Sequence, residues 1–152
     1  MYGLTFFDFD HPTKPENAFA DAQRLSQYLT DLNVAHWVQY SGSKGYHLFP
    51  KYILRLDSSL VTRMGRAKRS RLLSIKLKKH LKHTLGLNTL DEQTTGGPKR
   101  LCRMPYTRHV DRHGKVTGRY ALPIPTSKLL DISHDEIVAR SYIQNTSCQR
   151  LG

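Results

Sequence analysis

The sequence predicts an α+β fold in a single domain, on three observations. The first fifty residues alternate strand and helix patterns, one long helical stretch follows, and the remainder breaks into short extended pieces separated by turn residues. At 152 residues the chain suffices for one real core but not for two, so residues 1–152 are expected to form one domain.

The first strand is read from Tyr2 to Asp10, a short aromatic run bounded by His11-Pro12. Alternation puts Leu4, Phe6, Asp8 and Asp10 on one side and Thr5, Phe7 and Phe9 on the other, toward a buried layer. Thr13-Lys14-Pro15-Glu16 offers a capping box with proline in the first turn. Ala18, Phe19, Ala22, Leu25, Leu29 and Leu32 then recur at spacings of three and four, the stripe of a helix that Asn33 can stop. Val34 to Tyr40 alternates as a strand. Ser41-Gly42-Ser43-Lys44-Gly45 is a turn into Tyr46-His47-Leu48-Phe49, a strand ended by Pro50. The opening is thus β-α-β-turn-β.

Leu60 to Leu85 is the longest helical stretch, with Gly65 a candidate break and Leu73, Leu77, Leu81 and Leu85 an i, i+4 ridge. Asn88 to Glu92 reads as a strand, Thr94 to Pro98 as a turn, and Arg100 to Met104 as its hairpin partner. Asp111 to Gly114 and Thr117-Gly118 are turn signals, Leu122 to Pro125 is extended, and Asp135 to Ile143 is a short closing helix.

Charge narrows the function. Lys and Arg total 24 against 12 acids, a net charge of +12 with a pI near 10.0, which points to a polyanion, either nucleic acid or an anionic membrane surface. From Ser58 to Leu90 there is no acidic residue, while Arg63, Arg66, Lys68, Arg69, Arg71, Lys76, Lys78, Lys79 and Lys82 crowd the long helix. A solvated helix face mixes signs to form i, i+4 pairs; this one forgoes them and calls for a partner. The expected phosphate-contacting set is Arg63, Arg66, Arg69, Lys76 and Lys79, and the lack of interleaved aromatic residues predicts contact with backbone rather than bases. No apolar run approaches the ~20 residues needed to span a bilayer, and no signal peptide is evident. Cys102 and Cys148 give neither a disulfide framework nor a zinc pattern, so a cytoplasmic setting is expected.

Three segments carry candidate chemistry. Asp8 and Asp10, ~6.5–7 Å apart at Cα on one strand face, suit one or two divalent cations; the alternative is that Asp10 only caps a turn. Ser41 to His47 combines small residues able to form an anion nest with Lys44 and His47, without the spacing of a Walker A loop. Leu101 to His109 brings Arg103, suited to bidentate phosphate contact, and His109 past a proline turn.

In order and spacing, these segments resemble the catalytic core of archaeo-eukaryotic primases, the superfamily of the primase small subunit and related primase-polymerases. The matching parts are hydrophobic-Asp-x-Asp at Asp8 and Asp10, Ser-Gly-x-Lys-Gly-x-His at Ser41 to His47, and Asp91 followed by Arg-x-Pro-x-Thr-x-His at Arg103 to His109. The resemblance implies an N-terminal α/β unit and an RRM-like antiparallel sheet, with the active site in the cleft between them. It implies that Asp8, Asp10 and Asp91 hold two Mg²⁺ or Mn²⁺ ions. Asp131 competes as third carboxylate, although it falls on the wrong side of the Arg103 segment. Ser41, Ser43, Lys44 and His47 would hold the triphosphate of an incoming nucleoside triphosphate, with Arg103 and His109 approaching from the other side.

Single-stranded DNA template and nascent primer are the implied partners, with a helicase or accessory primase domain on another chain and no membrane. The chain departs from the primase subunits in having no Cys/His set with zinc-ligand spacing, as a minimal viral or plasmid member, or an excised core, would. The expected function is a DNA primase, a template-dependent nucleotidyltransferase. Its rivals are a metal-dependent nuclease and a non-catalytic basic module that binds single-stranded nucleic acid.

Overall fold

Alternation along the first strand decides what lies inside. The computed structural model describes residues 6–51, 66–93, 103–111 and 113–142, with residues 66–70 described by backbone alone. In chain order the elements are β1 (Phe7–Asp10), α1 (Pro15–Asp31), β2 (His36–Tyr40), β3 (Gly45–Pro50), α2 (Arg66–Leu85), β4 (Arg108–Val110), β5 (Val116–Tyr120), β6 (Leu122–Ile124) and α3 (His134–Ser141). The fold is α+β, and both sheets are antiparallel. A four-stranded sheet runs β1-β3-β2-β6, and β4-β5 forms a separate hairpin. No helix among the described residues is long and apolar enough to cross a membrane.

Phe7 and Phe9 join Tyr46, Leu48, Val38 and Tyr40 on the core face of the sheet, and α1 covers them with Ala18, Phe19, Ala22, Leu25 and Leu29. Asp8 and Asp10 take the opposite face. The expected capping box does not form. Proline disfavours helical backbone in the residue before it, so α1 starts at Pro15 and Lys14 becomes an N-cap without a side-chain bond. His11 serves instead, its Nδ1 accepting from the amides of Thr13 at 3.3 Å and Lys14 at 2.9 Å. Asn33 does stop the helix, with a left-handed φ of 57° and its amide donating to the Thr30 carbonyl at 2.9 Å.

Two further expectations change. Asn88 to Glu92 was expected to pair with Arg100 to Met104, but Leu90 bridges Phe9, adding backbone pairing at the outer edge of β1. The Asp10 amide donates to the Thr89 carbonyl at 3.1 Å and the Asp91 amide to the Asp8 carbonyl at 2.8 Å. The reason is the unpaired edge that β1 would otherwise present. Residues 94–102, with the predicted turn and most of the predicted partner, lie outside the described residues. Thr117-Gly118 sits within β5, and the turn proper is built by Asp111, whose Oδ1 accepts from the amides of His113 and Lys115 at 2.8 and 2.9 Å.

The Leu73 ridge of α2 packs only in its second half. Leu81 is buried in the core, Leu73 is 40% exposed, and the fully inward positions belong to Ser74 and Lys78. The segment after α2 is fastened to α1 by the buried Asp21, which accepts from the Thr89 amide at 2.8 Å and its hydroxyl at 2.9 Å.

Strand β3 meets β1 at Gly45, opposite Asp10. A Cβ there would lie 2.4 Å from the Phe9 carbonyl oxygen, a backbone atom that cannot swing aside. Gly45→Ala is therefore expected to cost at least about 1–3 kcal/mol, read as a lower urea midpoint; an unchanged midpoint would show that the two strands part freely at this rung.

Candidate active site

Cross-strand rows organise the open face of the sheet. Asp8 stands beside His47, His47 beside Gln39, and Gln39 beside Pro123. Asp91 extends this row beyond β1 through its amide bond to Asp8. In the next row Asp10 faces Gly45, and the Ser41 amide donates to the Gly45 carbonyl at 3.0 Å.

The Ser41–Gly45 turn is held from several sides. The Ser41 hydroxyl oxygen accepts from the amides of Ser43 at 3.4 Å and Gly45 at 3.3 Å. Those amides are thus engaged within the turn, and what it presents outward is chiefly side chains. The Tyr40 hydroxyl donates to the Ser43 carbonyl at 2.5 Å, and Arg119 of β5 donates to that hydroxyl at 3.3 Å. Gly42 has a φ of 81°, and a Cβ on it would stand 3.1 Å from the His109 Cβ and 3.2 Å from the Tyr120 carbonyl carbon. A side chain here would wedge the hairpin off the turn.

The hairpin forms the opposite wall. Gln39, almost fully buried, donates to the Arg103 carbonyl at 2.9 Å and ties this segment to the sheet. His109 pairs with the Thr117 hydroxyl at 3.0 Å; burial, and then the nearby Arg103 and Arg119, hold its pKa below the ordinary histidine value. Between sheet and hairpin lies a cleft of about 480 Å³. Asp8, Asp10, His47 and the Ser41–Gly45 turn line one side, with Arg103 and His109 completing it.

Electrostatics separates the two aspartates. Asp10 Oδ2 lies 3.1 Å from Lys44 Nζ, both side chains about half exposed (45% and 50%). Asp8 Oδ1 lies 3.5 Å from His47 Nε2, yet their titrations run against an ion pair. Burial raises the Asp8 pKa, opposed by His47 and reinforced by Asp10 and Asp91. Burial also lowers that of His47, so the contact joins a carboxyl group to a neutral imidazole at neutral pH. Among the described residues no three His, Cys, Asp or Glu side chains converge at metal-ligand geometry; Lys44 and His47 stand against the two carboxylates where a cation would compete.

Of the rival third carboxylates, Asp91 adjoins Asp8, and its charge is felt there. Asp131 is exposed in the turn after Leu129, whose carbonyl accepts from Gln23 of α1 at 2.7 Å, on the helix-covered side of the sheet. Lys76 and Lys79 are exposed on α2, Arg66 and Arg69 belong to its first turns, and Arg63 lies outside the described residues.

Sequence reasoning missed Lys78. Counted with the exposed charges, it is fully buried, with Nζ 5.8 and 5.7 Å from the ring centres of Phe6 and Phe7, and its charge favours ionised Asp8. The signal was available: Lys78 precedes the core residue Leu81 by three and follows the buried Ser74 by four.

No protein-family model and no curated protein matches the chain. Among solved structures it is similar to the polymerase domain from Mycobacterium tuberculosis ligase D in complex with DNA, with a TM-score of 0.54 and 18% identity, covering 90% of this chain and 50% of that one. At this identity the likeness is one of fold. The chain has a primase-polymerase-like α+β fold, and it spans half the length of the chain it matches.

The Asp8 shift carries a sign. A carboxyl whose folded pKa exceeds its unfolded value makes ionisation unfavourable to folding, a cost that is complete above the folded pKa and vanishes below the unfolded one. Asp8→Asn is therefore expected to raise the melting temperature of chelator-treated protein by a few degrees at pH 7, with the gain shrinking as the pH falls toward 3.8, the ordinary value for an aspartate. A lower melting temperature at pH 7 would mean that attraction from His47 and Lys78 outweighs burial.

Proposed function

We propose that the protein is a template-dependent nucleotidyltransferase that starts or extends short primers on single-stranded DNA, the activity of a DNA primase or primase-polymerase. The support is the convergence of paired carboxylates, a basic serine-rich turn and an Arg/His wall on one cleft, in a fold shared with a polymerase domain in complex with DNA. A nuclease uses the carboxylates but leaves the basic turn without a task. A passive binding module needs no carboxylates facing a basic cleft.

Asp8, Asp10 and Asp91 would hold two divalent cations, Mg²⁺ or Mn²⁺. Their hard oxygen donors suit such ions, and the burial and carboxylate crowding that raise the Asp8 pKa are relieved by added positive charge. When bound, the ions supply activation of a primer 3′-hydroxyl and neutralisation of the departing pyrophosphate. Lys44 would exchange Asp10 for a phosphate of the nucleoside triphosphate, a switch that costs little because their ion pair is half exposed. The hydroxyls of Ser41 and Ser43 would bound the phosphates on the turn side.

His47, neutral beside Asp8, would donate a hydrogen bond to a phosphate oxygen. From the opposite wall, Arg103 and His109 would offset charge gathering on the phosphates in the transition state. Template and nascent primer would follow α2 through Arg66, Arg69, Lys76 and Lys79, with Arg63 preceding it. A helicase or accessory primase domain on another chain would deliver the template.

Primer synthesis on an unprimed single-stranded template, with Mn²⁺ or Mg²⁺ and nucleoside triphosphates, tests the proposal. Asp8→Ala or Asp10→Ala is expected to reduce incorporation to background while DNA binding stays nearly intact. Retained synthesis in either variant would sink the mechanism, and degradation of labelled DNA without triphosphates would establish the nuclease instead. Neutralising Arg66, Arg69 and Lys79 together should reduce the slope of log affinity against log salt by about 2, at ~0.7 per phosphate contact on a single strand; an unchanged slope removes α2 from the DNA path.

A further inference from the structure

The open face of the sheet continues beyond the carboxylates, away from the Ser41–Gly45 turn. One row from Asp8 and His47, Trp37 of β2 stands opposite Phe49 of β3, and Phe6, just before β1, lies on the other side of Phe49. Trp37 stacks on Phe49 with ring centroids 4.9 Å apart and planes 12° apart, and Phe49 stacks on Phe6 at 5.7 Å and 26°. Phe6 in turn meets His47 edge-on at 5.7 Å. Phe6 and Phe49 are buried, whereas Trp37 is 39% exposed.

The next row is basic. The Lys51 amide donates to the Ala35 carbonyl at 2.7 Å, alternation along β3 puts Lys51 on the same face as Phe49, and the residue is exposed. The order across this face is therefore basic turn with Asp10, then Asp8 with His47, then the aromatic row, then Lys51. Trp37 lies about 12 Å from Asp8 in the plane of the sheet, taking ~4.8 Å between strands and ~3.3 Å per residue. An indole resting on buried rings is rigid and offers one broad apolar face. Beside an ammonium, on a chain of net charge +12, its complementary occupant is an aromatic base carried on a polyanion.

We propose that Trp37 is a stacking face for a base of the single-stranded DNA entering beside the carboxylates, with Lys51 contacting an adjoining phosphate. The proposal rests on the nucleotidyltransferase reading and supplies what it lacks. The exposed basic residues of α2 can hold backbone, whereas a base needs a ring near the reacting end to hold it still.

Trp37 is the sole tryptophan of the chain, so its emission reports this site in the unmodified protein. The intact protein is titrated with a labelled oligothymidylate of about 20 nucleotides, longer than the ~4–16 of typical single-strand sites, following tryptophan emission and label anisotropy together. Emission is expected to quench in parallel with the anisotropy rise. Trp37→Ala should weaken binding about tenfold, Trp37→Phe should restore most of it, and Lys51→Ala should lower the salt slope by about 0.7.

DNA binding with unchanged emission, or with full affinity in Trp37→Ala, overturns the stacking role and leaves the nucleotidyltransferase reading standing. No DNA binding by the wild-type protein overturns both. Quenching by a nucleoside triphosphate alone gives the ring to the incoming nucleotide, and concentration-dependent quenching without DNA gives it to a second copy of the chain; either overturns the proposal. The wild-type quench needs no substitution, so a poorly folded alanine variant does not blunt the test.

Discussion

The rung where Asp10 faces Gly45 governs the geometry of the whole site. Because Gly45 has no Cβ to meet the Phe9 carbonyl, β3 can close on β1 there, and every residue beyond falls into fixed register. A slip of one residue would turn Asp8 and Asp10 into the core and Phe7 and Phe9 into the cleft. Burying each of those phenylalanines is worth roughly 1.5–3 kcal/mol, so hydrophobic burial on one face positions the carboxylates on the other. The same register sets His47 beside Asp8 and starts the Ser41–Gly45 turn at the height of Asp10. Core and site are two faces of one pairing.

What the sequence made legible is what short-range chemistry determines. Alternation along Phe6 to Asp10 separated core from site, the spacing of Ala18 to Leu29 marked α1, and Asn33 marked its end. Glycines, serines and Lys44 between two strand patterns marked the turn. The losses were contacts made at long range or through competition. Nothing local shows that Leu90 completes the edge of β1, and that pairing is what brings Asp91 beside Asp8. Nor does the sequence show that Leu122–Ile124 joins β2 rather than the hairpin, or that His11 takes over the cap abandoned by Thr13. Lys78 was lost for a different reason. A lysine in a basic run reads as solvated, and only the facing Phe6, Phe7 and Asp8 supply a reason to bury it.

The hairpin shows how a second layer can be fastened without a large core of its own. Gln39 reaches across to the Arg103 backbone, Gly42 lets His109 and Tyr120 settle on the turn, and Arg119 braces the turn through Tyr40 and Ser43. Each is a polar or steric contact, and several lie on residues that also shape the cleft wall. The wall is thus held where phosphate chemistry would need it by contacts that leave its apolar side, including Met104 and Tyr106, exposed.

Charge then explains why α2 is so uniformly basic. Asp8, Asp10 and Asp91 gather on one side of β1, and the pKa of Asp8 rises because burial and the other two acids oppose its ionisation. Lys78, inserted against Phe6 and Phe7, returns part of that balance to Asp8, while Lys44 does so for Asp10 from the cleft. Such local compensation is partial, since Asp8 stays shifted in spite of it. On the proposed function, carboxylates held against their own burial would be relieved by added positive charge. Of the other basic residues of α2, Lys82 is paired within the chain, its Nζ 3.3 Å from Glu92 Oε1. The stretch from Ser58 to Leu90 itself carries no acid, and on the proposed function an external polyanion would relieve the remaining repulsion. One helix thereby turns a buried cation toward Asp8 and exposed ones outward, where on the proposed function they would meet DNA.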